Sequence, residues 1–428
     1  MPADVLVIGG GPAGLMAAAA AAEQGAAVTL VEKGDRVGRK LAISGGGRCN
    51  VTNNKDPEDL IRHIPGNGRF LYSAMAQFSN RDIIAWFEKL GVRLKEEDDG
   101  RMFPASDSAR TVVSALSNRL ASLGVRVLLG EPVERVLYDN GRAVGIRLKS
   151  GREIPGKTVI VATGGRAAPH TGSTGDGYRW AEEAGHTIVP LYPTEVPLTS
   201  SSSVIRDRLL QGLSLRGVSL TVWDGKGKPV VTHRGDMIFT HFGLSGPAAL
   251  RCSQFVVKEM AKTGSPTVRL TVDLFPDDSG PALMDRLARL AAAEPRKSVK
   301  TLLRTMLPDR LVPVVLDRAG IGETRLWSET GKTAREALVA ELKRFALNIS
   351  GTLPLEKAFV TGGGVNLKEI DPRTMQSKLM AGLFFCGEIL DIHGYTGGYN
   401  ITAAFVTGRC AGRSAAERAL AQPDTPAN

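Results

Sequence analysis

Runs of apolar residues alternate with glycine-rich turns at the start of the chain. Residues 5–8 are continuously apolar and predict a buried strand, and the alanine-rich residues 17–22 predict a helix. A second apolar run, residues 27–31, ends at Glu32. This order of strand, helix and strand predicts a βαβ unit with a glycine turn between its first two elements.

The glycine turn has the spacing G-x-G-x-x-G, with Gly9, Gly11 and Gly14 in these positions. In a dinucleotide-binding turn the first glycine permits a tight bend, the second lets backbone approach a pyrophosphate, and the third lets helix pack on strand. Pro12 suits the first helical turn. Glu32 follows the second strand, where an acid accepts hydrogen bonds from a ribose. The alternative is a glycine turn without a ligand, but this context favours a dinucleotide.

A second glycine-rich stretch follows a segment, residues 33–40, that is predicted to be a basic polar loop. Ser44-Gly-Gly-Gly-Arg-Cys-Asn50 contains three successive glycines, which suit close passage past a flat ring or a phosphate. Arg39 and Lys40 are expected to neutralise a pyrophosphate, and Arg48 or Asn50 to reach the reactive end of the cofactor. A flexible surface loop is the alternative.

The next 140 residues predict a mixture of helices and strands. Two helices are predicted within 56–91, the second around 80–90, followed by one at 109–123 and a short one at 178–184. Predicted strands are 132–138, 142–148, 151–154 and 157–162. Asn140-Gly141 predicts a hairpin turn, and Thr163-Gly164-Gly165 offers backbone to a nucleotide.

The pattern changes near Pro190 and changes back near Lys357. β-like runs are predicted at 213–223, 229–232, 237–240 and 268–274, and helices at 280–293, 300–306, 309–318 and 333–345. The predicted domains are 1–190 and 357–428, which together form a cofactor-binding domain, 191–276 with about 347–356, which form an inserted β-rich domain, and 277–346, which form a helical subdomain.

The C-terminal part of the chain indicates which dinucleotide is bound. A buried strand ends at Gly387-Glu388, and a glycine turn leads into a helix from Ile401. The acid suits a ribityl chain, and the helix N–H groups near Asn400 suit the pyrimidine edge of a flavin. This favours FAD over NAD. The predicted fold class is α/β, a Rossmann-like FAD-binding domain (three-layer ββα) built from both chain ends, with an inserted barrel-like domain and a small helical subdomain.

Composition narrows the class of protein. Among 428 residues, 43% are hydrophobic, and no secretory signal or membrane span is seen, so a cytoplasmic protein is expected. Four scattered cysteines indicate neither a metal site nor a redox dithiol. The net charge of +10 suggests either a nucleic-acid or membrane surface or a solvated arginine-rich surface. Interspersed charges and 5% aromatic residues favour the latter and make nucleic acid an unlikely partner.

Three side chains are candidates for a catalytic role, which the sequence leaves unassigned. Cys49 is a candidate redox thiol, although a lone buried cysteine fits better because no resolving partner is near in sequence. His241 suits either an acid over a flavin or a structural position. His393 suits either a group near the flavin that titrates near neutrality or, slightly better, a surface-loop histidine.

The chain resembles the BaiN-like (YhiN-type) flavoproteins, described as NAD(P)/FAD-dependent oxidoreductases or aminoacetone oxidases. The resemblance rests on VLVIGGGPAGLMAA, GRKLAISGGGRCNVTN, GRMFPASDSARTVV, VIVATGG, TGSTGDGY, FTHFGLSGPAAL, VTGGGVNLKEIDPRTMQSK and GLFFCGEILDIHGYTGGYNITAAFVTGR. These stretches run from residue 4 to beyond 409, and SGGGRCN and EIDPRTMQSK are the most family-specific.

The resemblance implies a set of FAD-binding residues along the whole chain. They are Gly9, Gly11, Gly14, Glu32, Arg39, Lys40, Ser44, Gly45, Gly46, Asn50, Val133, Thr163, Gly164, Gly387, Glu388, Gly398, Asn400 and Ile401. The predicted cofactor site adds Pro12, Ala13, Lys33, Gly165, Asp176 and Gly397.

Three functions remain open at this point. The first is an FAD-dependent oxidoreductase whose flavin is reduced by NAD(P)H and reoxidised by a small organic acceptor, such as a compound with a C=C bond. The second is an amine oxidase that acts on an aminoacetone-like substrate and forms peroxide. The third is a flavin-containing RNA- or partner-binding protein, motivated by the charge. The substrate and the oligomeric state stay open.

Overall fold

The computed structural model describes residues 3–421, which divide into two compact units. The first contains the described residues up to Tyr192 and from Leu355 onward, and the second is Pro193–Pro354.

Across residues 3–421 the strands, in chain order, are β1 (Ala3–Ile8), β2 (Val28–Glu32), β3 (Thr52–Asn53), β4 (Leu94–Glu97), β5 (Arg101–Pro104), β6 (Arg126–Leu129), β7 (Val133–Asp139), β8 (Arg142–Leu148), β9 (Glu153–Val161), β10 (Ile188–Thr194), β11 (Leu198–Ser200), β12 (Ser214–Trp223), β13 (Pro229–Phe239), β14 (Gly243–Ser245), β15 (Val268–Asp273), β16 (Phe345–Thr352), β17 (Val360–Val365) and β18 (Leu383–Phe385). The α-helices of the same residues are α1 (Pro12–Ala22), α2 (Arg39–Ile43), α3 (Pro57–Arg62), α4 (Tyr72–Gln77), α5 (Asn80–Lys89), α6 (Ala109–Ser122), α7 (Asp176–Glu183), α8 (Ser203–Arg206), α9 (Pro247–Thr263), α10 (Gly280–Ala293), α11 (Val299–Leu303), α12 (Val312–Arg318), α13 (Lys332–Lys343) and α14 (Tyr399–Leu420).

The first unit is organised around a sheet with β1 at its centre. β1 pairs in parallel with β2 on one side and with β9 on the other, and β6 extends the sheet beyond β2. The long strand β9 pairs with antiparallel β8 through its first residues and with parallel β18 through its last. β18 comes from the C-terminal part, so both chain ends contribute to one sheet. This confirms the predicted Rossmann-type α/β fold.

Helices α1 and α14 pack closely because small residues face each other. A Cβ added at Gly408 would lie 2.3 Å from the carbonyl oxygen of Ala13, and one added at Gly412 would lie 2.1 Å from that of Ala17. Such distances leave no room for any side chain at the two glycines. The glycines are four residues apart and therefore lie on one face of α14. Close backbone approach between these helices thus fixes the C-terminal part against the N-terminal turn.

The second unit contains a closed barrel with the strand order β11-β14-β13-β12-β15-β16. Its interior is apolar, and Phe239 of β13 contacts Phe345 of β16 edge to face, with ring centroids 6.4 Å apart. Buried residues of α10 to α13 belong to the same hydrophobic cluster as the barrel interior. The helices therefore share one core with the barrel, which confirms the inserted barrel of the predicted fold class.

Several predicted elements differ in the structure. Residues 33–40 are not loop throughout, because α2 begins at Arg39. The segments 151–154 and 157–162 belong to one strand, β9, since pairing continues through Pro155 and Gly156. The segments 229–232 and 237–240 form one strand, β13, since pairing continues across the polar residues between them. A short apolar run marks the buried part of a strand, and the strand itself can continue beyond that run.

Other elements were missed. Residues 56–91 form three α-helices and not two, and β3, β4 and β5 make a small antiparallel sheet. No predicted helix covered the 17 residues of α9, which begins at Pro247. The predicted domain limits stay predictions, and their outermost residues 1–2 and 422–428 lie outside the described residues. No helix in the described range is both long and apolar enough to span a bilayer.

We expect Gly412→Leu to destabilise the first unit by about 3 kcal/mol or more, because backbone of α1 lies where the side chain would start. The free energy of unfolding, from urea titration followed by circular dichroism, measures the effect. Gly322→Leu is the matched control, since an added Cβ there meets no atom within 4 Å. Equal stability of the two variants would contradict the close packing of α1 on α14.

Candidate cofactor site

The turn between β1 and α1 uses its three glycines differently. Gly9 has a φ of +107°, and a Cβ there would lie 2.5 Å from the carbonyl oxygen of Ala162. A Cβ at Gly14 would lie 1.9 Å from the carbonyl oxygen of Gly9. At Gly11 an added Cβ would meet no protein atom within 4 Å. Gly9 and Gly14 are therefore required by packing, whereas Gly11 faces space that the protein does not fill.

Pro12 and Ala13 start α1 directly after this turn. Pro12 occupies the first helical turn, as its missing N–H allows, and Ala13 is buried. A Cβ on Gly387 would lie 2.7 Å from the Cβ of Ala13, so the end of β18 approaches the start of α1. The free N–H groups of α1 are left for an anion.

Glu32 is bound by the backbone of the same turn. One carboxylate oxygen accepts from Gly10 N–H and the other from Gly34 N–H, each at 2.7 Å. A carboxylate oxygen accepts more than one hydrogen bond. The acid is therefore held in place and keeps accepting capacity for ribose hydroxyls.

Thr163 and Gly164 close the turn from the other side. A Cβ at Gly9 would lie 3.2 Å from Thr163 Cα. The Thr163 hydroxyl oxygen is buried without a hydrogen-bond partner. Nearby, Lys33 Nζ lies 2.5 Å from both Thr174 Oγ1 and Asp176 Oδ2. The structure thus brings Lys33 and Asp176 together, although both were proposed separately from the sequence.

Gly165 packs against Thr361, a residue that sequence analysis did not single out. A Cβ at Gly165 would lie 2.3 Å from Thr361 Oγ1. That oxygen accepts from the N–H groups of Arg166 and Ala167 at 3.0 and 2.9 Å. Thr361 N–H also donates to Glu388 Oε1 at 2.8 Å. Its position before the Gly362–364 run was the available signal.

The second part of the candidate site surrounds Lys40 and Glu388. Lys40 Nζ lies 2.5 Å from Glu388 Oε2, so the lysine charge is balanced within the protein. Arg39 Nη2 donates to the carbonyl oxygen of His170 at 3.3 Å, and Ser44 Oγ donates to that of Leu41 at 2.7 Å. These contacts fix the start of the glycine-rich stretch against the end of β18.

Asn50 lies between that stretch and the N-terminus of α14. Gly45 and Gly46 have positive φ angles of 56° and 70°. The Asn50 side-chain oxygen is buried without a hydrogen-bond partner, and a Cβ at Gly398 would lie 2.9 Å from it. Asn53 Nδ2 donates to the carbonyl oxygen of Gly397 at 3.1 Å. The unpaired Asn50 Oδ1 therefore lies at the start of α14, where it could accept a hydrogen bond from a ligand.

The Asn400 side chain has a structural function. Its Oδ1 accepts from Gly394 N–H at 2.7 Å and its Nδ2 donates to the Gly394 carbonyl at 2.9 Å, which closes the loop before α14. The predicted contact of Asn400 and Ile401 with the cofactor is therefore assigned to their backbone N–H groups and stays a prediction. Val133 begins β7, two residues after Glu131, whose N–H donates to the Glu32 carbonyl at 3.1 Å.

These residues fit an FAD molecule. Two helix N-termini, an open position at Gly11, a held acid at Glu32 and buried unpaired oxygens at Thr163 and Asn50 provide what a dinucleotide requires. Phosphates suit the α1 turn, the adenosine ribose suits Glu32, and the flavin ring suits the region of Asn50 and α14. Bound FAD supplies hydride transfer, which no side chain can perform.

Two of the three catalytic candidates, Cys49 and His241, lie in different environments. Cys49 is buried, and burial raises the pKa of its thiol to about 12, so the thiol stays protonated and unreactive near neutrality. His241 is exposed on the turn between β13 and β14 in the second unit, where its ring contacts Phe242. In residues 3–421 no group of three or more His, Cys, Asp or Glu could hold a metal ion.

The expectation that His393 is a surface-loop histidine is wrong. His393 is 1% exposed, because its backbone pairs with Gly66 and its ring lies where a Cβ of Gly66 would be, 2.2 Å away. Its Nε2 lies 2.9 Å from the hydroxyl of Tyr192. Burial also raises the pKa of Tyr192. The contact of His393 with Tyr192 could not be predicted, because the two residues are 201 positions apart in the sequence.

Comparison with known proteins decides the family. Residues 3–414 match the family model described as HI0933-like protein Rossmann domain. The chain belongs to this family. It is 32% identical to the ribosomal RNA dihydrouridine synthase of Haemophilus influenzae, over 94% of this chain and 95% of that protein. It is 30% identical to the 3-dehydro-bile acid delta(4,6)-reductase of Clostridium scindens, over 96% of this chain and 98% of that protein.

Solved structures share the fold. A flavocytochrome c3 fumarate reductase superimposes with a TM-score of 0.52 at 21% identity and covers 98% of this chain and 78% of its own. A 3-ketosteroid-delta4-(5alpha)-dehydrogenase from Rhodococcus jostii RHA1 gives 0.50 at 18% identity, over 97% of this chain and 96% of its own. The family member described here is an FAD-dependent oxidoreductase, which confirms the predicted cofactor and enzyme class.

We expect Gly11→Val to lower the affinity for FAD by about ten- to hundredfold while the protein stays folded. The added side chain would occupy the space proposed for the ligand and would not clash with protein atoms. The extended backbone at this position, with φ −78° and ψ −179°, accepts valine. Flavin absorbance per protein and the Kd for FAD measure the effect, with Gly322→Val as control. A yellow Gly11→Val protein with full FAD content would contradict this site.

Because the Cys49 thiol is buried, we expect it not to react with alkylating reagents in the folded protein. Burial raises the pKa of this thiol to about 12 and removes it from solvent, so iodoacetamide should leave Cys49 unmodified in the native protein. Peptide mass spectrometry, with urea-unfolded protein as control, tests this. Cys49→Ala should retain flavin reduction, and loss of reduction with normal FAD content would instead support a redox thiol.

Proposed function

We propose that this protein is an FAD-dependent reductase of a C=C bond conjugated to a carbonyl group, with NAD(P)H as the reductant. In the overall reaction the acceptor gains one hydride and one proton across its double bond, and NAD(P)H becomes NAD(P)+. The acceptor class that we favour is the uracil ring of RNA, with a small 3-oxo compound as the second candidate.

One observation carries the proposal. The relatives matched along nearly their whole length have names for different substrates but for the same type of chemical change. Dihydrouridine is uridine with its ring C=C bond reduced, and a delta(4,6)-reductase of a 3-dehydro compound reduces C=C bonds conjugated to a ketone. A shared change in unlike molecules points to a property of the common cofactor site, since substrate choice resides in other residues.

The site residues support reduction at a flavin without further catalytic machinery. Cys49 is protonated, and the candidate site contains no metal-binding group in the described residues. Helix α14 begins at Tyr399, and we propose that the N–H groups of its first turn face the flavin, where a helix dipole would stabilise negative charge. Lys40 and Glu388 form an ion pair, so the protein adds little net charge beside this position.

Anaerobic stopped-flow absorbance tests the proposal. NADH or NADPH should bleach the flavin band of the FAD-loaded protein, and subsequent mixing with a uridine-containing RNA fragment or a 3-oxo-4-ene steroid should restore it, with reduced product identified by mass spectrometry. Gly11→Val protein, without FAD, is the control. Bleaching by aminoacetone but not by NAD(P)H, with peroxide formed in air, would overturn the proposal and establish the amine oxidase.

A further inference from the structure

The positive charge of the chain is concentrated in the second unit. Residues 193–354 contain 23 Lys and Arg against 16 Asp and Glu, whereas the rest of the chain contains 31 against 28. The inserted unit therefore provides +7 of the net +10 in well under half of the residues. Cofactor phosphates do not explain this excess, because the glycine turn and the other predicted phosphate ligands belong to the first unit.

Part of this charge lines one open cleft. The cleft has a volume of about 480 Å³ and is formed by the segment from Arg296 to Arg304 and by residues 323–326. Four cations line it, namely Arg296, Lys297, Lys300 and Arg304, with Glu323 as the one acid among its lining residues. Ser298, Thr301 and Thr324 add polar side chains, so the lining suits an anion with several oxygen atoms.

The walls of the cleft are built by the fold. Val299 N–H donates to the carbonyl oxygen of Arg325 at 2.9 Å, and Ser298 pairs with Leu326. Val299, Leu302 and Leu303 are buried in the hydrophobic core that the helices share with the barrel. The backbone that carries the cations is therefore fixed, so only their side chains must be ordered when a ligand binds.

The existing ion pairs in the cleft are weak competitors. Lys297 pairs with Glu294 at 2.6 Å, Arg304 pairs with Asp309 at 3.5 Å, and Lys300 pairs with Glu323. The Lys297 and Arg304 pairs are solvent-exposed, whereas the Lys300 side chain is half-buried. Exposed pairs contribute about 0–1 kcal/mol, so exchange of the first two for a phosphate costs little. Arg296 is exposed at the same cleft.

We propose that this basic cleft binds the phosphodiester backbone of RNA. The inference rests on the proposed function for its choice of partner, and it adds the location of the contact. Phosphate contacts position a nucleic acid on a protein without reading its sequence. A membrane surface fits less well, because within residues 3–421 none of the exposed large hydrophobic side chains lies between 281 and 330.

The test compares two triple variants of the full-length, FAD-loaded protein. Arg296→Ala/Lys297→Ala/Arg304→Ala removes three cations from the cleft, and Arg216→Ala/Lys226→Ala/Lys228→Ala removes three exposed cations from the barrel. Both variants have the same net charge, so a difference between them reports position. Fluorescence anisotropy with a labelled single-stranded RNA 20-mer is measured across a salt series, together with thermal melting and flavin content.

We expect the cleft variant to bind RNA at least about tenfold more weakly at low salt and to lose about 2 from the slope of log affinity against log salt, since three phosphate contacts disappear. The barrel variant should bind like the parent protein. Equal RNA binding by both variants, no RNA binding by the parent protein, or a cleft-dependent preference for anionic vesicles over RNA would each overturn the inference.

Reduction of the bound flavin by NAD(P)H separates this inference from the proposed function. NAD(P)H should bleach the flavin of both variants at the parent rate, because neither triple substitution touches the candidate cofactor site. Loss of RNA binding with retained bleaching therefore supports the cleft. Absence of bleaching in all three proteins would contradict the proposed function and would leave the RNA measurement as an independent result.

Discussion

The close approach of α1 and α14 is the constraint on which the cofactor-binding unit depends. Gly408 and Gly412 of one helix contact the backbone of Ala13 and Ala17 of the other at distances that exclude any side chain. This contact joins residues nearly 400 positions apart. The chain between them loses conformational entropy when the contact closes, and this happens only when the whole unit forms. The N-terminal βαβ unit is therefore incomplete by itself, since the alanine-rich face of α1 is covered by α14.

That contact also brings together the two glycine-rich stretches from opposite chain ends that we propose to bind one cofactor. Because α14 is fixed on α1, its N-terminus lies beside Asn50, and Gly387 lies against Ala13. Backbone N–H groups from two helices then become available in one unit. The insertion of residues 193–354 between these parts does not disturb the arrangement, because it has its own closed barrel and its own hydrophobic core.

Sequence patterns predicted the elements whose signal is local. The turn at Gly9–Gly14, the hairpin at Asn140 and the C-terminal helix depend on residues close together, and the structure contains all three. Features that depend on distant residues were not predictable. The burial of His393 follows from Gly66, and the continuity of β9 follows from its neighbours β1, β8 and β18. Neither constraint is visible in the segment that it acts on.

The unpaired oxygens of Thr163 and Asn50 link stability to cofactor binding. A buried polar atom without a partner costs about 1–3 kcal/mol, and two such atoms make the ligand-free protein less stable than its packing alone would allow. A ligand that supplies hydrogen-bond donors recovers this free energy only in the folded state. Binding to the folded state alone raises the free energy of unfolding by mass action. We therefore expect hydrogen bonds from the proposed cofactor to these atoms to make the holoprotein more stable than the ligand-free protein.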